Sequence, residues 1–277
     1  MERIEIKECK DGLIIPHTGV CLTYACNLRC KLCCTGSPYM QEYNKEFSYD
    51  VIIKSIDEYF KMFHHVGKFS FGGGEPQLRN DLPEIIEYTM QYKDKFDMLE
   101  VLTNGRIIFS DRLLEVLEKY KDKMFVMVDN YGEDLSLKAK ELYDILKSKG
   151  ITCELRKYYG EDSHCGGWVD LGDLSQKHFT EEETIEQFKK CAYGKRIGYA
   201  IVAGIFSFCG RYTRTVLCGV VDKIPGEYVD LLDDSISVEE KRRQFLNLSK
   251  VSHLSACAYC NGYSEDSERF EPAEQIK

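Results

Sequence analysis

Strand and helix signals alternate along the first 156 residues, and this alternation restricts the possible folds more than any other feature of the chain. Strands are predicted at 19–24, immediately before the glycine-rich segment at 70–76, and at 96–102, 124–128 and 151–156. Helices are predicted at 51–63, from 81, from 110 and at 135–149. Strands separated by helices pair in parallel, with right-handed crossovers. We therefore predict an α/β fold with a partial (β/α) barrel of about five to six parallel strands, whose ligands lie at the carboxyl ends of the strands.

Three cysteines follow the first of these strands at CxxxCxxC spacing, namely Cys26, Cys30 and Cys33. Three thiolates can hold a cubane iron-sulfur cluster and leave one iron open, whereas clusters that only carry electrons are normally closed by four cysteines. The alternative is a structural zinc site or a group of inert buried thiols, although zinc sites usually pair two CxxC half-sites. Cys34 is expected to be a packing or spare thiol, because neighbouring side chains point in different directions. The loop therefore favours a cluster that a small molecule completes.

A glycine-rich segment, Ser70 to Pro76, follows a short apolar strand and precedes a helix. Consecutive glycines allow backbone conformations that are closed to other residues, and they let main-chain carbonyls approach a ligand closely. A glycine-rich turn between a strand and a helix is by itself a weak indicator, because many α/β proteins have one. Its position roughly forty residues after the cysteine loop makes the pair of motifs specific.

The two motifs together resemble those of the radical S-adenosylmethionine (radical SAM) superfamily. The resemblance implies that the open iron chelates the amino and carboxylate groups of S-adenosylmethionine (SAM), whose reductive cleavage gives methionine and a 5'-deoxyadenosyl radical. It implies that a GGEP segment binds the amino group of SAM, and the matching residues are Gly73, Gly74, Glu75 and Pro76. It also implies a flavodoxin- or ferredoxin-type electron donor.

Other candidate SAM contacts follow from the same resemblance. Many members of the superfamily have an aromatic residue just before the third cysteine, where it packs near the adenine, and this chain has Leu32 there. An aliphatic side chain can fill the same contact. Asn104, Asp129 and Asn130 follow the third and fourth predicted strands, so they are expected to bind the ribose or carboxylate of SAM.

A second group of cysteines lies in the last third of the chain: Cys191, Cys209, Cys257 and Cys260. The apolar stretch 199–208, interrupted by Gly204, predicts a β-hairpin that would bring the thiols at its two ends together. Four cysteines that include a CxxC also make a legitimate zinc site.

The spacing of this second group resembles the first half of the SPASM pattern, which is called a twitch domain. The resemblance implies an auxiliary [4Fe-4S] cluster, for which Cys218 is a possible competing ligand. Four thiolates would leave no iron open, so the expected role of this cluster is electron transfer. We predict a radical SAM core at 1–180 and a twitch domain at 181–277, made of a β-hairpin and a helix.

Composition agrees with an intracellular enzyme. A length of 277 residues suggests about two domains. A net charge of −9 argues against a nucleic-acid surface. No apolar run approaches the ~18 residues of a membrane span, and the polar amino terminus is unlike a signal peptide, so we expect a cytoplasmic protein. Thirteen cysteines in a reducing compartment then indicate metal or redox use rather than disulfides.

The arrangement of both groups resembles that of enzymes like 2-deoxy-scyllo-inosamine dehydrogenase. This implies that the radical takes hydrogen from a carbon bearing a hydroxyl in a small, sugar- or cyclitol-like substrate, and that the auxiliary cluster accepts the second electron. A base must also take the hydroxyl proton. Candidates near predicted strand ends and in the irregular stretch 157–180 are Arg156, His164 and Asp170. The stretch also holds Trp168, and we favour a substrate-facing loop over the alternative that Trp168 anchors the loop on the core.

Two other functions stay open. The first is a radical SAM enzyme that modifies a peptide by epimerisation or crosslinking, although the roughly 18 residues before the first predicted strand are few for a leader-binding domain. The second is a zinc-stabilised binding protein without catalysis.

Overall fold

The structure is a computed structural model that describes residues 5–193 and 199–277. The described residues form one sheet of nine strands in the order β6-β5-β4-β3-β2-β7-β8-β9, with β1 beside β2. The strands are β1 (Lys7–Cys9), β2 (Gly12–Thr23), β3 (Phe63–Gly73), β4 (Phe96–Thr103), β5 (Met124–Asn130), β6 (Thr152–Lys157), β7 (Tyr199–Val202), β8 (Ile205–Ser207) and β9 (Val229–Asp230). The α-helices are α1 (Tyr49–Met62), α2 (Leu82–Thr89), α3 (Asp111–Lys119), α4 (Ala139–Ser148), α5 (Glu181–Lys190), α6 (Gly210–Leu217) and α7 (Val238–Leu248).

The central part of the sheet is parallel. β2 to β6 pair in parallel in chain order, and β7 pairs in parallel with the other side of β2. Helices α1 to α4 lie between successive strands from β2 to β6, as the crossover connections of parallel strands require. The prediction of a partial barrel of five to six parallel strands is thus confirmed.

The two faces of the sheet carry different side chains, because successive residues of a strand point to opposite sides. In β3, Phe69 and Phe71 are fully buried in the hydrophobic core, whereas Ser70 and Gly72 line a cavity. The ring of Tyr59 from α1 packs on Phe69, with 5.2 Å between the ring centroids. Small and polar residues on the concave face therefore leave space where a filled barrel would have bulky side chains.

One predicted helix start agrees with the structure and another differs from it. Ser110 caps α3 as predicted, because its side chain accepts a hydrogen bond from the backbone N–H of Leu113. Helix α4 was expected from about residue 135 but begins at Ala139. The reason is Ser136, whose hydroxyl donates to the carbonyl of Asn104 at 2.7 Å and so holds the preceding residues in a turn.

The carboxyl-terminal third contains the predicted hairpin. β7 and β8 are antiparallel, and Gly204 at the turn has a φ of 79°. Because β7 also pairs with β2, the hairpin continues the sheet of the core. The boundary between residues 180 and 181 stays a prediction. None of the helices in the described ranges is long and apolar enough to cross a membrane.

Candidate active site and cluster-binding cysteines

The loop after β2 brings the three cysteines that were predicted to bind iron close together. Cys30 is buried, and Cys26 and Cys33 are partly buried beside Leu28 and Ala273. Burial, together with negative charge on neighbouring groups, raises the pKa of Cys26 to about 11 and that of Cys30 to about 12. Buried thiols of this kind lose their protons readily only when a metal compensates the charge. The donor set therefore fits a metal cluster.

Two side chains from distant parts of the sequence donate to these sulfur atoms. The Nδ2 of Asn104 lies 3.8 Å from the Sγ of Cys26, and the Nε2 of Gln275 lies 3.3 Å from the Sγ of Cys30. Hydrogen bonds to cluster sulfurs are one means by which a protein sets the reduction potential of a cluster. Asn104 thus contacts the cysteine loop, whereas its expected contact with SAM stays a prediction.

The segment around Gln275 lies along the cysteine loop. The backbone N–H of Lys31 donates to the carbonyl of Glu274 at 2.7 Å, and that of Ile276 donates to the carbonyl of Arg29 at 2.8 Å. The sequence offers no periodic signal for this pairing, which depends on contacts between opposite ends of the described chain. We refer to residues 273–276 as the closing segment.

The glycine-rich segment packs against the start of the same loop. The N–H of Gly74 donates to the carbonyl of Thr23, and the N–H of Glu75 donates to the carbonyl of Ala25, both at 2.7 Å. A Cβ at Gly74 would lie 2.1 Å from the oxygen of Ala25, and one at Gly73 would lie 2.5 Å from the oxygen of Thr23. The glycines therefore allow β3 and the cysteine loop to pack closely, which is a reason beyond the predicted approach of a ligand.

Glu75 is a buried carboxylate with one oxygen unpaired. Its side chain is 1% exposed, and its Oε2 accepts the N–H of Asn104 at 2.7 Å. Its Oε1 has no hydrogen-bond partner among the described residues, and burial raises its pKa to about 7. Because an unpartnered buried polar atom is costly, this oxygen suits a ligand that donates a proton or carries positive charge. The amino group of SAM fits that requirement.

Asp129 and Arg156 form an ion pair across β5 and β6. Their closest atoms, Oδ1 and an Nη of the guanidinium, are 2.7 Å apart, and burial raises the pKa of Asp129 to about 6. Burial opposes the charge of Arg156, but the pairing with Asp129 outweighs it and raises its pKa, so Arg156 keeps its proton. His164 lies near this pair, and burial together with the charge of Arg156 lowers its pKa. The Oδ1 of Asn130 accepts the N–H of Gly132.

The four cysteines of the second group surround one cavity of about 320 Å³. Burial, together with the charges of Cys260 and Cys191, raises the pKa of Cys209 to about 12. Burial likewise raises the pKa values of Cys257 and Cys260. Among the residues at 5–193 and 199–277, no three His, Cys, Asp or Glu side chains are grouped as ligands of a single metal ion. A cubane binds its thiolates through separate irons and so requires a wider spacing.

The two remaining cysteines discussed above, Cys218 and Cys34, differ in their position relative to the second group. Cys218 does not border the first cavity, and its Sγ lies 3.5 Å from the Sδ of Met40. Cys34 borders that cavity together with Cys21. The side chains of Cys33 and Cys34 were expected to point in different directions. The side chain of Cys34 borders the cavity that the second group of cysteines lines.

A chain of polar side chains on the concave face borders the same cavity, and the sequence analysis did not include it. The Nε2 of His17 lies 2.9 Å from the Oγ of Ser70, which donates to the carboxylate of Glu100 at 2.6 Å. Lys68 donates to the other oxygen of Glu100 at 2.9 Å. The sequence feature that could have predicted this chain is Glu100, an acidic residue in the middle of the otherwise apolar strand 96–102.

The irregular stretch after β6 has two parts, one of which packs on other elements through Trp168, while the other lines a cavity through Asp170. Trp168 pairs with Phe270 through backbone hydrogen bonds, and its ring meets the edge of Tyr131 with centroids 5.6 Å apart. This packing agrees with the anchoring role. Asp170 borders a second cavity of about 530 Å³, which Leu32 and Cys33 also line.

Comparisons with known proteins agree with this architecture. A family model described as the radical SAM superfamily matches residues 20–155. The GTP 3',8-cyclase of Aliarcobacter butzleri is 27% identical over 185 residues, which cover 65% of this chain and 53% of that protein. The chain thus spans about half the length of such curated relatives.

Solved structures resemble the fold over most of its length. A crystal structure of BtrN in complex with AdoMet and 2-DOIA matches with a TM-score of 0.51 at 14% identity, covering 92% of this chain and 96% of that one. Native anSMEcpe with bound AdoMet matches with a TM-score of 0.51 at 13% identity, covering 91% of this chain and 92% of that one. At these identities the likeness concerns the fold alone.

Proposed function

Because the chain carries a radical SAM domain at residues 20–155, we propose that the protein is an enzyme that reductively cleaves SAM at a [4Fe-4S] cluster held by Cys26, Cys30 and Cys33. The radical SAM family uses such a cluster together with SAM. The three thiols lie in one cluster at the carboxyl end of β2, where a barrel binds its ligands. A flavodoxin- or ferredoxin-type protein is our proposed electron donor.

We propose further that the reaction is the dehydrogenation of a small, sugar- or cyclitol-like substrate. The observation that supports this is the cavity of about 320 Å³, which reaches from Gly73 and Tyr24 at the strand ends to the four cysteines of the second group. When bound, the core cluster with SAM would supply a 5'-deoxyadenosyl radical, and an auxiliary [4Fe-4S] cluster would supply the acceptor for the second electron. Four protein thiolates leave no open iron for substrate, which favours electron acceptance.

The residues of this chain would position the cofactor as follows. Glu75 offers its unpaired Oε1 to the amino group of SAM, while Asn104 fixes the other oxygen of the carboxylate. Asn130 and Asp129 lie at the carboxyl end of β5, where they can reach a ribose or carboxylate. Leu32 provides an apolar surface for the adenine. In this arrangement Arg156 holds Asp129 in place.

A proton must leave the hydroxyl of the substrate during oxidation. Arg156 keeps its own proton in the ion pair and is not suited to this task. Asp170 borders the second cavity beside Cys33, whereas His164 borders neither cavity among the described residues. We therefore propose Asp170 as the first candidate for the base and His164 as the second.

Anaerobic reconstitution tests the cluster assignment. The wild-type protein should hold two [4Fe-4S] clusters by iron and sulfide analysis, and the triple replacement of Cys26, Cys30 and Cys33 with Ala should leave one. The triple variant should also fail to produce 5'-deoxyadenosine. Cleavage of SAM by that variant, or loss of all its iron, would contradict the assignment of the loop.

Product mass tests the reaction type. Dehydrogenation predicts a product two mass units lighter than the substrate, with SAM consumed in each turnover. A product of unchanged mass that carries one hydrogen from solvent would indicate epimerisation, the route open to peptide-modifying enzymes. The sequence likeness to GTP 3',8-cyclases makes ring closure a second candidate, for which the product also keeps the substrate's mass but gains a new ring.

A further inference from the structure

Two buried arginines of α6 border the second cavity. Arg211 and Arg214 are 6% and 8% exposed, and both line the cavity of about 530 Å³. The Nε of each guanidinium has no hydrogen-bond partner among the described residues. A buried N–H of a cationic group that lacks an acceptor is costly, so two such groups beside a cavity point to a ligand that supplies the missing acceptors.

Within residues 5–193 and 199–277, no carboxylate forms an ion pair with either guanidinium group. Arg211 donates to two neutral carbonyls, those of Gly172 at 2.8 Å and Tyr259 at 3.1 Å. Arg214 lies over the ring of Tyr39, with 5.6 Å between its Cζ and the ring centroid. Burial and the like charge of Arg211 lower the pKa of Arg214.

The remaining charges on the cavity wall largely cancel. Lys177 pairs with Asp173 at 2.8 Å, and Lys31 pairs with Glu274 at 3.5 Å. The Oδ1 of Asp170 accepts the N–H of Gly172. Two arginines therefore face one unpaired carboxylate, and the cavity has a surplus of positive charge.

The second cavity adjoins the first cavity, which the second group of cysteines lines, because Arg211 and Leu171 border both. Cys33 of the core loop borders it directly, and the charge of Arg211 acts on Cys260 of the second group. A substrate that must be reached from both groups would occupy this region. The backbone at Gly36 leaves room for the Arg214 side chain, since a Cβ there would lie 2.5 Å from its Cζ.

We propose that Arg211 and Arg214 bind a carboxylate or phosphate group of the substrate within the second cavity. The inference rests on the proposed function, because it places the substrate beside Cys33 and next to the first cavity. Guanidinium groups match both kinds of oxyanion, since their planar forks donate two parallel hydrogen bonds. Binding of the anion would hold the rest of the substrate in one orientation beside Cys33.

Calorimetric titration of the anaerobically reconstituted protein with inorganic phosphate, and separately with acetate, tests this binding. Arg214→Gln and Arg211→Gln should each weaken binding of the preferred anion by about ten- to a hundredfold, the loss expected for a charge-assisted hydrogen bond. Arg214→Lys, which keeps the charge and loses the fork, should fall between wild type and Arg214→Gln. The matched control is Arg243→Gln, because Arg243 is exposed on α7 and pairs only with Glu240 among the described residues. A preference for phosphate over acetate would identify a phosphorylated substrate, and the reverse preference would identify a carboxylate.

Equal anion affinity in Arg214→Gln and Arg243→Gln would overturn the inference. It would also be overturned if Arg214→Gln lost iron in proportion to anion binding, because the arginine would then serve to hold a cluster. If Arg214→Gln does not fold, Arg211→Gln and Arg214→Lys provide the same comparison. Production of 5'-deoxyadenosine by the wild-type protein is measured separately, so failure of the proposed function is distinguishable from failure of the anion site.

Discussion

Alanine at Gly74 should damage the cysteine loop, whereas alanine at Gly72 should leave it intact. A Cβ at Gly74 would lie 2.1 Å from the carbonyl oxygen of Ala25, and ordinary contact begins at 3.4 Å, so the two segments must separate by about 1.3 Å. A Cβ at Gly72 would meet only the Cδ1 of Leu102, at 3.6 Å. The two substitutions are chemically identical and lie two positions apart in one strand-to-turn segment.

The expected cost follows from two effects at Gly74. Overpacking of this kind costs about 1–3 kcal/mol. Separation also breaks the hydrogen bond from Glu75 to the Ala25 carbonyl, which is 2.7 Å long and contributes about 1 kcal/mol. We therefore expect Gly74→Ala to lower the free energy of unfolding by about 2–4 kcal/mol, and Gly72→Ala to change it by less than about 1 kcal/mol.

Urea unfolding of the metal-free proteins measures this difference, and iron analysis after anaerobic reconstitution measures its effect on the loop. Ala25 immediately precedes Cys26, so Gly74→Ala should also reduce iron binding toward the content of a single cluster. Equal losses of stability and iron in both variants would refute the reasoning, because the glycines would then be interchangeable. Loss of SAM affinity alone, with unchanged stability and iron, would restore the simpler view that Gly74 only makes room for a ligand.

Three other changes give separate tests. Replacing Cys257 and Cys260 with Ala should preserve formation of 5'-deoxyadenosine but abolish oxidised product, and oxidised product at the wild-type rate would exclude an electron-accepting role. Burial raises the pKa of Glu75 from 4.5 to about 7 in the folded, metal-free protein, so folding favours its protonated form. This contribution to the free energy of unfolding, about 3 kcal/mol, is fully present below pH 4.5 and is lost as the pH rises to about 7. Glu75→Gln should therefore flatten the pH dependence of urea unfolding over that range, and an unchanged slope would contradict the burial argument. Gly36→Ala should displace the Arg214 guanidinium and weaken phosphate or acetate binding without changing any charge, and wild-type affinity would contradict the placement of Arg214.

Local patterns in the sequence predicted the elements that depend on neighbouring residues. The cap at Ser110, the hairpin turn at Gly204 and the parallel strand order all follow from short-range signals and from the rules that connect strands. The start of α4 was wrong by about four residues, because Ser136 bonds to the distant carbonyl of Asn104. Propensity alone cannot report such a bond.

The candidate site was predictable only where residue spacing carries the chemistry. Cysteine spacing predicted which thiols come together, but it gave no indication that Gln275 would donate to Cys30. Arg211 and Arg214 were not among the predicted site residues, since nothing in their spacing indicates burial beside a cavity. Contacts between residues far apart in sequence arise from the packing of the whole sheet, and a single sequence does not display them.

The closing segment has a consequence for when the protein can acquire iron. Gln275 follows Cys30 by 245 residues, so a ribosome working at ~5–20 residues per second makes the cysteine loop roughly ten to fifty seconds before the segment that covers it. During that interval Cys30 lacks its amide donor, and the loop lacks the backbone bonds to residues 274 and 276. Iron delivered to the nascent chain would meet an open, oxidisable loop. We therefore expect stable cluster binding only after the closing segment has been made and has packed on the loop.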